Sequence, residues 1–204
     1  ISWHNAILAN RGPGALPERW QARRAALVTG ASQDLVDRAA LLGARSSELA
    51  PVAAPAAGSY DGTRAQARAA VATAVGIEES SDEVWALTVS RIAPQKDLDV
   101  LVAAAASVNA DETASPAVRW FIVGDGDDDL RLTLESAAAG LPVHLVGARS
   151  DVPVWMAACD LLVVPSRWEA RALVVQEALA AGLPVVATDV GGLPELVSGC
   201  GSLV

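Results

Sequence analysis

Two glutamates stand eight residues apart in Trp168-Glu169-Ala-Arg-Ala-Leu-Val-Val-Gln-Glu177, where an apolar strand-like run gives way to a helical one. Carboxylates in such a place accept hydrogen bonds from hydroxyl groups. A second loop, after the apolar run Val84–Val89, carries Arg91 and Lys96. Cations behind a strand end, joined by the free N–H groups and positive dipole end of a helix, make an anion site. Lys96 is the only lysine in the chain. Taken singly, each feature has a plainer reading: solvated helix glutamates, a surface arginine, a helix-start lysine.

The charge balance narrows the partners. The chain carries 15 Lys+Arg against 24 Asp+Glu, a net charge of −9. That acidity argues against a general nucleic-acid binder and against an electrostatic membrane anchor. An anionic ligand would have to meet the few cations gathered in one place. With 52% hydrophobic and 19% charged residues, the 204-residue chain is a folded one.

The elements that position these residues are legible from residue 83 onward. Strands are expected at Val84–Val89, Val118–Val123, Val143–Val146, Leu161–Val164 and Val185–Thr188. Helices are expected at Lys96–Val108, Asp128–Ala139, Val152–Ala158, Ala170–Ala181 and around Pro194–Val197. Apolar strands separated by single helices imply an α/β fold, a Rossmann-like parallel sheet of about five strands, with ligands at the carboxyl ends. Residues 1–57 carry a helix at Leu16–Ala25, a strand at Ala26–Thr29 and a helix capped by Ser32. This stretch reads as the tail of a partial N-terminal α/β domain. Residues 58–82 read as a linker and lead-in helix, and residues 83–204 as the main domain. The chain opens on Ile-Ser-Trp-His-Asn and is expected to be a piece of a longer protein.

Six segments then fall into one order. They are Val89-Ser-Arg-Ile-Ala-Pro-Gln-Lys-Asp97, Ile122-Val-Gly-Asp-Gly126, Gly147-Ala-Arg-Ser-Asp-Val152, the Glu169/Glu177 segment, Ala178–Thr188 and Val190-Gly-Gly-Leu-Pro-Glu195. In order and spacing this set resembles the family 4 (group 1) glycosyltransferases of the GT-B fold, over residues 83–204. The resemblance implies a retaining enzyme that moves a sugar from a UDP- or GDP-linked donor to an acceptor hydroxyl of a lipid, glycan or small molecule. It implies no cofactor and no metal, with Arg91 and Lys96 supplying the charge an ion would otherwise bring.

The resemblance also assigns roles. Arg91, Lys96 and the helix start at Ala170, Arg171, Ala172 and Leu173 would hold the diphosphate. Glu177 would hold the ribose hydroxyls and Glu169 would face the donor sugar. His4 resembles the histidine at a strand end of the N-terminal domain, facing the sugar across the cleft. The chain departs from the family at Ala170 and Ala172, where glycines are usual; methyl groups there would crowd the donor sugar. A sugar-nucleotide epimerase or phosphorylase on the same fold, or a non-catalytic nucleotide-binding piece, are the alternative readings. This chain by itself is expected to be inactive, because acceptor contacts belong to the missing N-terminal part.

Three other motifs are declined. Val28-Thr-Gly-Ala-Ser32 lacks the later glycines of a dinucleotide fingerprint. Gly124-Asp-Gly-Asp-Asp-Asp129 has Ser136 where a calcium loop needs its last glutamate. Ser166 is no nucleophile elbow, since Gly-x-Ser-x-Gly is absent. Cys159 and Cys200 are too far apart in sequence for a metal or disulfide framework, and His144 reads as structural. A cytoplasmic location, peripheral at the inner membrane face through the missing part, is the expectation; no membrane contact is visible in the chain.

Overall fold

The computed structural model describes residues 1–4, 15–55, 58–110 and 116–204. Its larger sheet has six parallel strands: β4 (Glu83–Val89), β5 (Ala117–Val123), β6 (Val143–Gly147), β7 (Leu161–Val164), β8 (Val185–Ala187) and β9 (Gly201–Leu203). Their order is β6-β5-β4-β7-β8-β9. The strand missing from the sequence expectation is β9. It is three residues long and fully exposed, so it carries no apolar signature.

Both faces of the sheet are covered, which is why its strands read as apolar runs. On β5, Phe121 and Val123 join one core and Ile122 the other, as alternation along a strand requires. The first core packs under α3 (Arg64–Val75), α6 (Val152–Ala158), α7 (Leu173–Ala180) and α8 (Leu193–Val197). Its centre is aromatic: Phe121 lies 5.0 Å from Trp85 and 5.7 Å from Trp155, both edge-on. The second core lies under α4 (Leu98–Ala110) and α5 (Asp128–Ala137). Helix α3 starts in a complete capping box between Thr63 and Gln66 and ends at Gly76 in the left-handed region, φ 70°.

Two helix starts differ from expectation. A 3-10 turn occupies Pro94–Lys96, and α4 begins only at Leu98, because Asp97 sits at φ 52° and breaks the helical path. Helix α7 begins at Leu173, not Ala170. The Ala172 backbone is extended, at φ −66° and ψ 103°, so the helical path begins only after it, and the Glu169 carbonyl accepts the Gly192 N–H at 2.8 Å.

The N-terminal stretch forms a second, three-stranded parallel sheet of β1 (Ser2–Trp3), β2 (Val28–Gly30) and β3 (Ser47–Leu49), flanked by α1 (Leu16–Arg24) and α2 (Gln33–Leu41). Ser32 stands at the N-cap of α2, yet its hydroxyl turns to the Asp34 carboxylate instead of the helix backbone. The small core of this stretch, Trp3, Ala22, Val28, Leu35 and Ala39, also takes in Ala170. Trp168 Nε1 donates to Asp34 Oδ2 at 2.6 Å, and the Gln33 N–H to Glu195 Oε1 at 3.2 Å. Further along, Gln176 bonds the backbone at both Val52 and Ala54 and so ties the Ala/Pro-rich segment to α7.

The two thiols have opposite settings. Cys159 is buried, and burial with the neighbouring Asp160 charge pushes its pKa up to about 12. Cys200 is exposed. A thiol-alkylating reagent at pH 8 should label Cys200 and spare Cys159 until the protein is unfolded. Equal labelling of both in the native state would contradict the seat of Cys159 behind α6.

Candidate active site

The crossover from β6 to β7 reverses the strand order, so β4 and β7 lie side by side while their following loops diverge. That switch point is where open α/β sheets leave a crevice for ligands. Backbone pairing between the two strands is short, and the buried Thr88 extends it by donating to the Val163 carbonyl at 2.8 Å. Beyond these strand ends lies a cleft of 460 Å³, walled by Thr88–Arg91, Lys96, Val163–Ser166, Glu169 and Arg171–Val174.

Arg91 is carried on a loop braced from the side. The Ser90 N–H donates to the Val123 carbonyl, the Ile92 N–H to that of Asp125, and the Asp127 N–H back to that of Ile92, each at 3.0 Å. The two glycines of Gly124-Asp-Gly126 make this approach possible. A Cβ at Gly124 would stand 1.8 Å from the Ser90 carbonyl oxygen, and one at Gly126 2.2 Å from that of Ile92. The acidic turn that resembles a calcium loop is thus a brace for the arginine loop. The Arg91 side chain is exposed and has no ion-pair partner among the described residues.

The Lys96 turn is stitched to the loop after β7. Gln95 Nε2 donates to the Trp168 carbonyl at 2.7 Å, and the Arg167 N–H donates to the Gln95 carbonyl at 2.9 Å. Arg167 pairs with Asp97 at 2.6 Å, and its guanidinium holds the Asp97 carboxyl below the usual carboxylate range. These links seat Lys96 Nζ 2.5 Å from Glu169 Oε1. The same oxygen accepts the Ser166 hydroxyl at 2.8 Å. Behind Glu169, Gly191 and Gly192 press on the chain: a Cβ at either would fall about 2 Å from the Glu169 or Ala170 carbonyl.

Helix α7 points its first turn into the cleft. Val175 closes a tight turn onto the Ala172 carbonyl, and the Leu173 and Val174 N–H groups have no intrahelical acceptor. Arg171 lines the cleft with its Nε buried and unpartnered, while its NH1 stands 3.5 Å from Glu195 Oε2.

Of the expected site residues, Arg91, Lys96, Glu169, Arg171, Ala172 and Leu173 meet in this cleft. Three do not. Ala170 is absent from the cleft lining; it is buried and belongs to the hydrophobic core that holds Trp3, Leu35 and Ala39. Glu177 lies further along α7 on a separate cavity of 410 Å³, shared with Tyr60 and Pro153. His4 follows β1, is exposed, and has its Nε2 3.0 Å from Ser2 Oγ. Sequence reasoning missed Gln95, which carries no local signal. It weighed Ser166 only as a nucleophile, although Ser166-x-x-Glu169 spacing across a turn is itself a hint of a side-chain contact.

His144, set aside as structural, lies stacked 5.4 Å from Phe121. Burial holds its pKa below the usual histidine value, and the Arg119 charge adds to this.

A doubly covered parallel sheet with a cleft at its switch point is a doubly wound α/β architecture. The sequence profile described as glycosyl transferases group 1 matches residues 83–204, and the chain belongs to that family. It is 37% identical over 142 residues to the D-inositol 3-phosphate glycosyltransferase of Segniliparus rotundus, covering 64% of this chain and 30% of that one. It is 42% identical over 113 residues to the GDP-mannose-dependent alpha-mannosyltransferase of Mycobacterium tuberculosis, covering 54% and 26%. Among solved structures, Anabaena HepE in complex with UDP superposes on the whole chain and on 57% of its own, at 25% identity and a TM-score of 0.76. The fold thus matches GT-B glycosyltransferase structures. The aligned region makes up less than a third of those two curated relatives and about half of HepE. Among the described residues no helix is long and apolar enough to cross a membrane.

Proposed function

We propose that the full-length protein carrying this chain transfers a sugar from a nucleotide-sugar donor to an acceptor hydroxyl, with retention at the anomeric carbon. The observation that carries this reading is the cleft itself. It gathers Arg91, the only lysine, a helix N-terminus and a buried glutamate at the switch point of an otherwise acidic chain. Relatives that are named as GDP-mannose-dependent, and a neighbour crystallised with UDP, support a nucleotide-linked donor.

In this reading the bond from the anomeric carbon to the diphosphate breaks, with its electron pair passing to the phosphate oxygen. Arg91, Lys96 and the Leu173 and Val174 N–H groups meet the growing charge. The acceptor oxygen forms the new bond on the face from which the diphosphate departs and passes its proton to the departing phosphate oxygen. Glu169 accepts hydrogen bonds from donor-sugar hydroxyls. The nucleotide runs along α7: with its diphosphate at Leu173, the ribose would reach Glu177 about 6 Å further along the helix axis. The cations do the work of a metal ion, and no cofactor takes part.

The test is a panel of UDP- and GDP-linked sugars with the full-length protein and candidate lipid, glycan and small-molecule acceptors. The expected result is a glycosylated acceptor with the donor's anomeric configuration, at a rate unchanged by a chelator. Hydrolysis or epimerisation alone, or an inverted product, would sink the reading.

A further inference from the structure

Glu169 uses its two carboxylate oxygens unequally. Oε1 is held twice, by Lys96 Nζ at 2.5 Å and by the Ser166 hydroxyl at 2.8 Å. Oε2 has no protein partner among the described residues and belongs to a side chain in the wall of the cleft. The two holders of Oε1 differ in what they can do next. Lys96 is a flexible cation, 18% exposed, beside the place where a diphosphate would lie. A phosphate entering the cleft competes with Glu169 for it, and a lysine ammonium on a four-carbon stem can follow the stronger anion.

Ser166 cannot move in this way. It is 1% exposed. It follows the end of β7 by two residues, with Pro165 between fixing the backbone. Its carbonyl accepts the Thr188 hydroxyl at 2.6 Å, and Thr188 itself is bonded to the β7 backbone through its N–H and the Val164 carbonyl at 3.1 Å. The hydroxyl therefore rests on the rigid sheet and its aim is independent of a ligand.

Building on the donor reading above, we infer that Ser166 is the positioning residue of the site. It keeps Oε1 of Glu169 in place when Lys96 passes to the donor's diphosphate, so that Oε2 stays turned to the sugar. Without the hydroxyl, donor binding would draw away Lys96, the only remaining holder of Oε1. The carboxylate would then swing as the sugar arrives, and the contact that orients the sugar would be lost while the diphosphate stayed bound.

The experiment compares Ser166→Ala, Ser166→Cys and Ser166→Thr in the full-length protein. Cysteine keeps the buried volume but donates only a weak hydrogen bond; threonine keeps the hydroxyl. Expected are a fall in kcat of about 10- to 30-fold for the Ala and Cys variants, a KM for donor raised only as far as the sugar's share of the affinity is lost, and recovery with Thr. Affinity for UDP or GDP alone should not change. The gain in affinity of the matching nucleotide sugar over the bare diphosphate should shrink in both variants, a readout that needs no turnover. Wild-type kcat and an unchanged affinity gain in Ser166→Ala would overturn the inference. So would a Cys variant that behaves as wild type while Ala does not, because that pattern reports packing. A wild-type protein that turns over no nucleotide sugar and binds none more tightly than the diphosphate would instead remove the donor reading, and the positioning role with it.

Discussion

Lys96→Ala in the full-length protein is expected to lower turnover about 100-fold, the scale of losing one preorganised charge contact to a leaving group. The side chain shares the cleft with Arg91, which is exposed and screened by solvent, and with Arg171, which leans toward Glu195. Lys96 is half-enclosed, so its charge acts through a less polar medium and counts for more. Its present partner, Glu169, would keep the Ser166 hydroxyl and so would not be left bare in the variant. Lys96→Arg should recover only part of the loss, since a planar fork does not occupy the position of a compact ammonium. Steady-state kinetics with saturating donor measures both. Near-wild-type turnover in the alanine variant would remove Lys96 from the mechanism.

Gly124→Ala should act on the same cleft from further away. The residue sits at φ 142°, which only glycine adopts freely, and its Cβ would meet the Ser90 carbonyl oxygen at 1.8 Å. Neither party is a flexible side-chain tip, so backbone must shift. We expect a loss of about 2 kcal/mol or more, a drop of several degrees in the melting midpoint for a chain of this size. The shift falls on the loop that carries Arg91, because Ser90 and Ile92 are bonded to the same turn. Nucleoside diphosphate affinity should therefore fall along with stability. A variant of comparable or greater stability cost away from the cleft, such as Ala70→Pro within α3, supplies the control: it should melt early yet bind the diphosphate as wild type does once folded. An alanine variant that melts and binds as wild type would contradict the bracing role of the Gly-Asp-Gly turn.

These two residues also show where the sequence was sufficient. Gly124 and Gly126 could be read as a turn after a strand, and Arg91 and Lys96 as the loop of another. That the turn braces the loop could not, because the pairing joins residues some 35 positions apart through the parallel register of β4 and β5. The helix starts show the same limit. Local periodicity carries a helix back to Ala170 and Lys96. An extended Ala172 and a left-handed Asp97 shorten both.

The departure at Ala170 takes on another sense for a similar reason. By residue type alone, alanine in place of glycine reads as crowding in a ligand site. In the fold it is buried as a member of the core of the N-terminal stretch. Trp168 adds a hydrogen bond to Asp34 of that stretch.

By itself the sequence determined the parallel sheet, the family and the strand-end loops that hold cations and carboxylates. Those features depend on apolar periodicity and on glycine and proline punctuation, which act over a few residues. Only the tertiary structure decided that Lys96 and Ser166 share one oxygen of Glu169, that Gln95 stitches the two loops together, and that Glu177 stands apart from the cleft. Such contacts arise where strand order reverses, between side chains up to 73 residues apart. No local pattern of residues encodes them, because they exist only once the sheet has closed around its own switch point.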